Sequence, residues 1–265
     1  MTQLTIASTR CRIEAETGDF VLASNLDPFL QSDPSPPDLR LILELTAGPP
    51  APRPGPPVQV RVGDGELEFI RPQGTMLARD DFALCHVRMC AQKEAFSGQP
   101  WLMLALWGCL AHRDGLLLHG ACCELEGSLI LLLGERQAGK STLGRLVVAA
   151  GGACLTDEYP LVTRAPAGLI AHGSPWPGIV GQPAALGGPL AAVFYLSHAP
   201  ANLLTLLPPK VAAQRLITNN RFFTWSPRTL PVAFELIEQI STETPVYDFG
   251  FVPELSAVDE IRRVL

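Results

Sequence analysis

The chain has 265 residues, of which 47% are hydrophobic and 17% charged, and its formal net charge is −6. That length suits one large domain or two modest ones with a sizeable core. The acidic balance argues against nucleic acid or an anionic membrane as the main partner.

The seven cysteines, at positions 11, 85, 90, 109, 122, 123 and 154, are scattered and form no Cys-x-x-Cys pair. They read as small core residues in a reducing compartment, not as a disulfide frame or a zinc site. The start, Met1-Thr2-Gln3-Leu4, lacks the basic-then-apolar order of a signal peptide. The apolar run near Trp101–Leu110 is short of the ~20 residues a bilayer span needs. A soluble, cytoplasmic protein is expected.

The first part of the chain reads as a small β-rich region, expected over residues 1–98. Arg10–Ala15 alternates, and Leu39–Leu45 looks like a strand. Residues 48–57 are saturated with proline and read as a surface loop or stiff linker. Val58–Val62 and Glu66–Ile70, joined through Gly63-Asp64-Gly65, form a hairpin by pattern. Arg79 to Phe96 is read as helical, with Phe82, Val87, Cys90 and Ala91 sharing a face. Pro100 to His112 reads as a buried helix with proline in its first turn.

A second region is expected over residues 99–265. Leu116–Leu125 reads as one strand, Glu126-Gly127 as a turn, and Ser128–Leu133 as a strand returning antiparallel. Next comes Gly134-Glu135-Arg136-Gln137-Ala138-Gly139-Lys140-Ser141-Thr142. This is a complete phosphate-binding loop between an apolar strand and a helix, the context in which that motif is specific. Glycines let backbone N–H groups close on phosphate oxygens, and the helix N-terminus favours negative charge. Lys140 can reach the outer phosphates and the Ser141 hydroxyl can hold Mg²⁺. Arg136, Lys140 and Arg145 make the one local basic patch that would face phosphates.

The helix after the loop has apolar residues at 143, 146, 147 and 150 and stops at Gly151-Gly152. Ala153–Thr156 is a short strand ending at Asp157-Glu158. Strands follow at Pro160–Thr163, Gly168–His172 and Ala191–Leu196. Between the last two, residues 173–189 hold many Gly and Pro and read as a long functional loop. Helices are expected at Pro208–Asn219, Leu230–Ile240 and Glu254–Leu265, with a strand at Val246–Phe249.

For phosphoryl transfer, Mg²⁺ needs hard oxygen ligands and an acceptor hydroxyl needs a nearby carboxylate. Asp157 and Glu158, at the end of the strand after the loop helix, fit both needs, with Ser141 as a further metal ligand. Their roles are not divided by sequence. His119, at the strand beside the loop strand, is read as a contact to phosphate or an orienter of a carboxylate. His119, Lys140 and Asp157 are the catalytic candidates, and all three are expected to converge on the terminal phosphoryl group.

His119-Gly120, the antiparallel hairpin, the Gly-x-x-x-x-Gly-Lys-Ser-Thr loop, the glycine-ended helix and the strand closing on Asp157-Glu158 together resemble the HPr kinase/phosphorylase catalytic domain. The resemblance is specific over residues 119–162. It implies an α/β fold: a P-loop core of the HPr kinase and phosphoenolpyruvate carboxykinase type, with a mixed sheet. It also implies transfer of phosphate from ATP or GTP, with Mg²⁺, to a serine hydroxyl of a protein, and it allows a homo-oligomer. Glu158 departs from the family's second aspartate. The later glycine-rich signature of phosphorylase activity is absent, which argues against HPr as substrate and against dephosphorylation. The layout is more similar to the shorter kinases that accompany ribosomal peptide biosynthesis, lasso-peptide precursor kinases among them. That implies a small precursor peptide as acceptor.

Other residues are weaker candidates. Ser174, Trp176 and Gln182 are placed to meet the acceptor, and Arg215, Arg221 and Arg228 are cations for the transferring group. Phe222, Phe223 and Trp225 read as core or as a peptide-binding surface. Two other readings stand beside the kinase. One is a nucleotide-dependent ATPase or regulatory switch without an acceptor. The other is a scaffold that has lost catalysis, against which the intact loop speaks.

Overall fold

The computed structural model describes residues 1–17, 20–46, 58–72, 74–90, 96 and 98–265. The expected proline-rich loop at 48–57 lies outside the described residues. The chain forms two compact units: Met1–Arg113 with Phe223–Thr229, and Asp114–Phe222 with Leu230–Leu265. The division thus falls after Arg113, against the 98/99 boundary expected from sequence, and the buried helix after Pro100 belongs to the first unit.

Alternating side chains build the first unit. Strands β1 (Thr2–Ile6), β2 (Thr9–Thr17), β3 (Leu39–Thr46), β4 (Gln59–Val62), β5 (Leu67–Arg71), β6 (Gly74–Arg79) and β7 (Leu84–Cys90) form one sheet, ordered β1-β2-β3-β7-β6-β5-β4. The expected hairpin is present, with Gln59 opposite Ile70 and Val62 opposite Leu67.

The helix expected over Arg79–Phe96 is not. Residues 84–90 are a strand, paired parallel with β3 and antiparallel with β6. Cys85, Val87 and Met89 are buried, and Leu84, His86, Arg88 and Cys90 are not. A period of two thus wins over the looser helical spacing of Phe82, Val87 and Cys90. Ala91 lies outside the described residues.

Helix α1 (Trp101–Ala111) is apolar nearly all round and correspondingly buried. Its Gly108 packs directly on the Phe82 ring, which a Cβ there would approach to 2.5 Å. Phe223 and Trp225 join Phe69, Phe82 and Trp107 in an aromatic cluster of largely edge-on contacts. Phe223 is a core residue, while Trp225 is half-buried.

In the second unit the stretch read as one strand, Leu116–Leu125, is two: β8 (Gly115–Leu117) and β9 (Ala121–Leu125). The break falls at His119-Gly120. A Cβ on Gly120 would meet the Leu132 carbonyl at 2.7 Å, so this backbone approaches too closely to continue as an ordinary strand. β9 pairs antiparallel with β10 (Ser128–Leu133) across the Glu126-Gly127 turn, where both residues have positive φ.

The other strands are β11 (Ala153–Thr156), β12 (Leu161–Ala165), β13 (Gly168–His172), β14 (Gly187–His198), β15 (Leu203–Leu206) and β16 (Val246–Phe251). The path β11-β9-β10-β14-β13-β12-β8 mixes directions, with β10 and β16 both parallel to the long β14. The helices are α2 (Lys140–Ala149), α3 (Pro209–Asn219), α4 (Thr229–Glu243) and α5 (Ser256–Arg262).

β10 is buried on both faces. Leu129, Leu131 and Leu133 pack with Ala212 and Leu216 of α3 and Leu236, Ile237 and Ile240 of α4. Ile130 and Leu132 pack with Leu143 and Val147 of α2 and Val258 and Ile261 of α5. This explains its unbroken apolar run. It also delivers the chain, at Leu133, to the phosphate-loop sequence. Among the described residues no helix is long and apolar enough to cross a membrane.

Candidate active site

Residues 134–139 turn the chain from β10 into α2. Gly134 and Gly139 have φ of +144° and +97°, and Gln137 is left-handed at +68°. Any side chain at 139 would meet the Phe251 ring at 2.6 Å. His198 Nε2 lies 2.8 Å from the Gln137 carbonyl oxygen and donates to it, tying the tip of the loop to the end of β14. Helix α2 starts with Gly139 as its N-cap and no side-chain cap. Its first N–H groups thus lack a capping acceptor, as an anion site requires.

Lys140 is largely buried and folds back over the loop. Its Nζ donates to the carbonyls of Gly134 and Glu135, each at 2.9 Å. Burial lowers the pKa of this ammonium and the nearby charge of Glu158 opposes that. The flanking Glu135, Arg136 and Gln137 are exposed, Ala138 is buried, and Thr142 is half-buried in the first turn of α2.

Asp157 occupies a position the sequence did not foretell. It is only 4% exposed and its carboxylate accepts five hydrogen bonds. Oδ1 takes the amides of Gly178, Val180 and Gly181 at 3.0, 3.1 and 2.9 Å. Oδ2 takes the Ile179 amide at 3.1 Å and the Ser141 hydroxyl at 2.7 Å. Burial pushes its pKa up, but the hydrogen bonds from Gly181, Ser141, Val180 and Ile179 prevail and hold it below the usual carboxylate range. A carboxylate has about four lone-pair sites. The five donors engage all of these on Asp157.

Glu158 is differently placed. It is half-buried, and its charge is felt by Lys140 on one side and Tyr159 on the other. Tyr159 is pushed up first by burial, then by that charge and by a hydrogen bond to Glu158. His119 is exposed on the same side. The Gly120 amide donates to the Glu158 carbonyl at 3.3 Å, and the His119 ring lies 6.4 Å from that of Tyr159. The Asn220 side chain accepts from the His119 amide, and the exposed Arg221 acts on Tyr159 as a nearby positive charge. His119, Glu158, Tyr159 and Arg221 thus form one polar group beside the loop. Tyr159 and Asn220 were not foreseen; only their closeness in sequence to Glu158 and Arg221 could have pointed to them.

The remaining candidates are structural. Ser174 and Trp176 are buried and grip Thr156, through the Ser174 hydroxyl and the Trp176 carbonyl. The Gln182 amide donates to the Cys154 carbonyl. Arg215 lies over the Tyr195 ring and pairs with Asp248. Arg228 belongs to the first unit, where it pairs with Asp81. Phe222 packs on Phe234. Six of the seven free cysteines are buried and Cys90 is half-buried.

Among the described residues no three His, Cys, Asp or Glu side chains converge on a metal site. The oxygen donors beside the loop are Ser141, Asp157 and Glu158.

No protein-family model matches the chain, and no curated protein does. Among solved structures, the chain is similar to the HPr(Ser) kinase/phosphatase from Coxiella burnetii, at 12% identity and a TM-score of 0.34. That match covers 57% of this chain and 95% of the other. At this level of superposition, function does not carry from one chain to the other.

Proposed function

We propose that the protein is a nucleotide-dependent kinase that moves the γ-phosphoryl group of ATP to a serine hydroxyl of a peptide or small protein, a ribosomally made precursor peptide in particular. The observation that supports it most is the joining of two elements. A complete phosphate loop, with Lys140 folded over it, is tied through Ser141 to the carboxylate that ends the next strand. Beside them lies a second, less engaged carboxylate.

The donor set fits Mg²⁺, which favours oxygen and is commonly held by one or two protein groups together with phosphate oxygens. Ser141 would hold it while its hydroxyl still donates a hydrogen bond to Asp157 Oδ2, with Glu158 within the same group. The ion would supply neutralisation of charge on the phosphate oxygens. Lys140 would exchange its two carbonyl partners for phosphate oxygens. Glu158 takes the proton of the acceptor serine as its oxygen bonds to the γ-phosphorus and the bond to the β-phosphate oxygen breaks. His119, whose ring lies 6.4 Å from that of Tyr159, is assigned to orient Glu158 or the transferred group.

The test is direct. Purified protein with Mg-ATP and a serine-containing precursor peptide should give an acid-stable phosphate ester, and Lys140→Ala should abolish it. Fast ATP hydrolysis with no dependence on any peptide would favour the switch or ATPase reading instead.

A further inference from the structure

The loop that holds Asp157 presents one apolar side chain to solvent. Ile179 is 79% exposed, although its neighbours are fixed. Trp176, 2% exposed, plugs the loop into the core, and its carbonyl accepts the Thr156 hydroxyl at 3.0 Å. The four consecutive amides of Gly178–Gly181 all end on Asp157. Two glycines make that approach possible. A Cβ at 178 would meet the Asp157 carboxylate at 2.7 Å, and one at 181 would meet Thr156 Cα at 2.7 Å. Pro175, Pro177 and Pro183 stiffen the segment further.

A scattered exposed isoleucine needs no explanation. One held on a rigid loop against the active centre is different, because its direction is fixed before anything binds. The Ile179 amide and the Ser141 hydroxyl share a single carboxylate oxygen, Asp157 Oδ2. Ser141 begins the loop helix on the side where metal and outer phosphates would lie. The Ile179 backbone is thus one shared oxygen away from Ser141, at the rim of the space where a γ-phosphoryl group and its acceptor would meet.

We propose that Ile179 is the acceptor-recognition residue of this site: an aliphatic side chain flanking the acceptor serine packs against it. This rests on the kinase reading given above. Such a contact should select among peptides by about tenfold in KM, the scale of one apolar contact in an enzyme site.

The experiment uses the full chain, Mg-ATP with a labelled γ-phosphate, and a degenerate peptide library with a fixed central serine and varied flanking positions. The wild type should favour an aliphatic residue at one flanking position. Ile179→Asp should erase that preference, raising KM about tenfold for the selected peptide but not for a peptide that lacks the aliphatic residue. Ile179→Leu should restore the preference. If the wild type labels the library but shows no aliphatic preference, or if Ile179→Asp keeps it, the inference about Ile179 is wrong and the kinase reading stands. If the wild type labels no member, the kinase reading fails and this inference goes with it.

Discussion

Asp157→Asn isolates the feature on which the site is built. The new amide keeps one acceptor oxygen and replaces the other by a donor. Placed at Oδ1, the donor would face three backbone amides, so the cheaper orientation puts it at Oδ2, opposite Ile179 N–H and the Ser141 hydroxyl. The hydroxyl can turn and accept, but the Ile179 amide cannot. One amide is then left unpaired, at a cost of ~1–3 kcal/mol, and three charge-assisted bonds become neutral ones worth about half as much. Relief from burying a charge offsets part of this. The net local loss is about 3 kcal/mol, or roughly 10²-fold in the opening equilibrium.

The two units need not melt together, so a global midpoint would blur the effect. Amide hydrogen exchange over residues 175–183 reads it locally. Protection at 178–181 should fall about 10²-fold in Asp157→Asn, while β10 and α4 stay protected. Glu158→Gln should leave this protection and nucleotide binding intact but lower kcat by about 10²–10⁴-fold, the usual worth of a general base. Unchanged protection in Asp157→Asn, or full activity in Glu158→Gln, would refute the division of roles between the two acids.

Three other outcomes are expected. Lys140→Ala should abolish the thermal shift produced by Mg-ATP, and lower the unliganded melting temperature by ~2–4 °C for each kcal/mol that its two carbonyl hydrogen bonds contribute. Gly181→Ala should cost about 1–3 kcal/mol in urea unfolding, because its Cβ would strike backbone atoms of Thr156 and Asp157 that cannot step aside. His172, buried and held by Thr163 at 2.8 Å, has its pKa lowered by burial from 6.5 to about 4. The unfolded chain therefore takes up a proton that the folded chain refuses. Stability from this residue is complete above pH 6.5 and declines by roughly 3 kcal/mol as pH falls toward 4. Urea titrations at pH 7.5 and 4.5 should show that difference, and His172→Gln should remove most of it.

Where a short apolar or alternating run is bounded by turn residues, the sequence was readable. The β4–β5 hairpin, the β9–β10 hairpin and the loop after β10 lie where pattern and turn residues put them. The failures have physical causes. β7 contains enough apolar residues to satisfy helical spacing as well as strand alternation, and only its pairing with β3 and β6 decides between them. The split between β8 and β9 comes from the approach of Gly120 to Leu132, a tertiary contact without local signal. β15 has three leucines in four residues, two of them well exposed, and exists because β16 offers it an edge. At the site, the motif placed Lys140 and Ser141, but nothing in the sequence shows that backbone amides will saturate Asp157. Amides carry no residue identity; the faint trace they leave is the pair of glycines at 178 and 181.

Those amides also explain why two adjacent acids need not be equivalent. Past the end of β11 the chain bends at these two residues. Asp157 turns toward the loop of 178–181 and Ser141, while Glu158 turns toward the space shared with Lys140 and Tyr159. The first is held ionised by five donors and is a poor base, because a strongly stabilised anion has little affinity for a proton. The second keeps its carboxylate less engaged, near the ammonium that would neutralise the leaving phosphates. A glutamate at 158 also reaches one methylene further than an aspartate would. On the proposed kinase reading, the shorter acid anchors the loop that bears Ile179 and the longer one reaches a hydroxyl brought in beside it. Glu158→Asp tests this reach. It should retain folding and nucleotide affinity but lose about 10-fold or more in kcat, since a carboxylate withdrawn by about 1 Å no longer meets the acceptor proton in line. Wild-type kcat in Glu158→Asp would mean that the second acid does not act by contact.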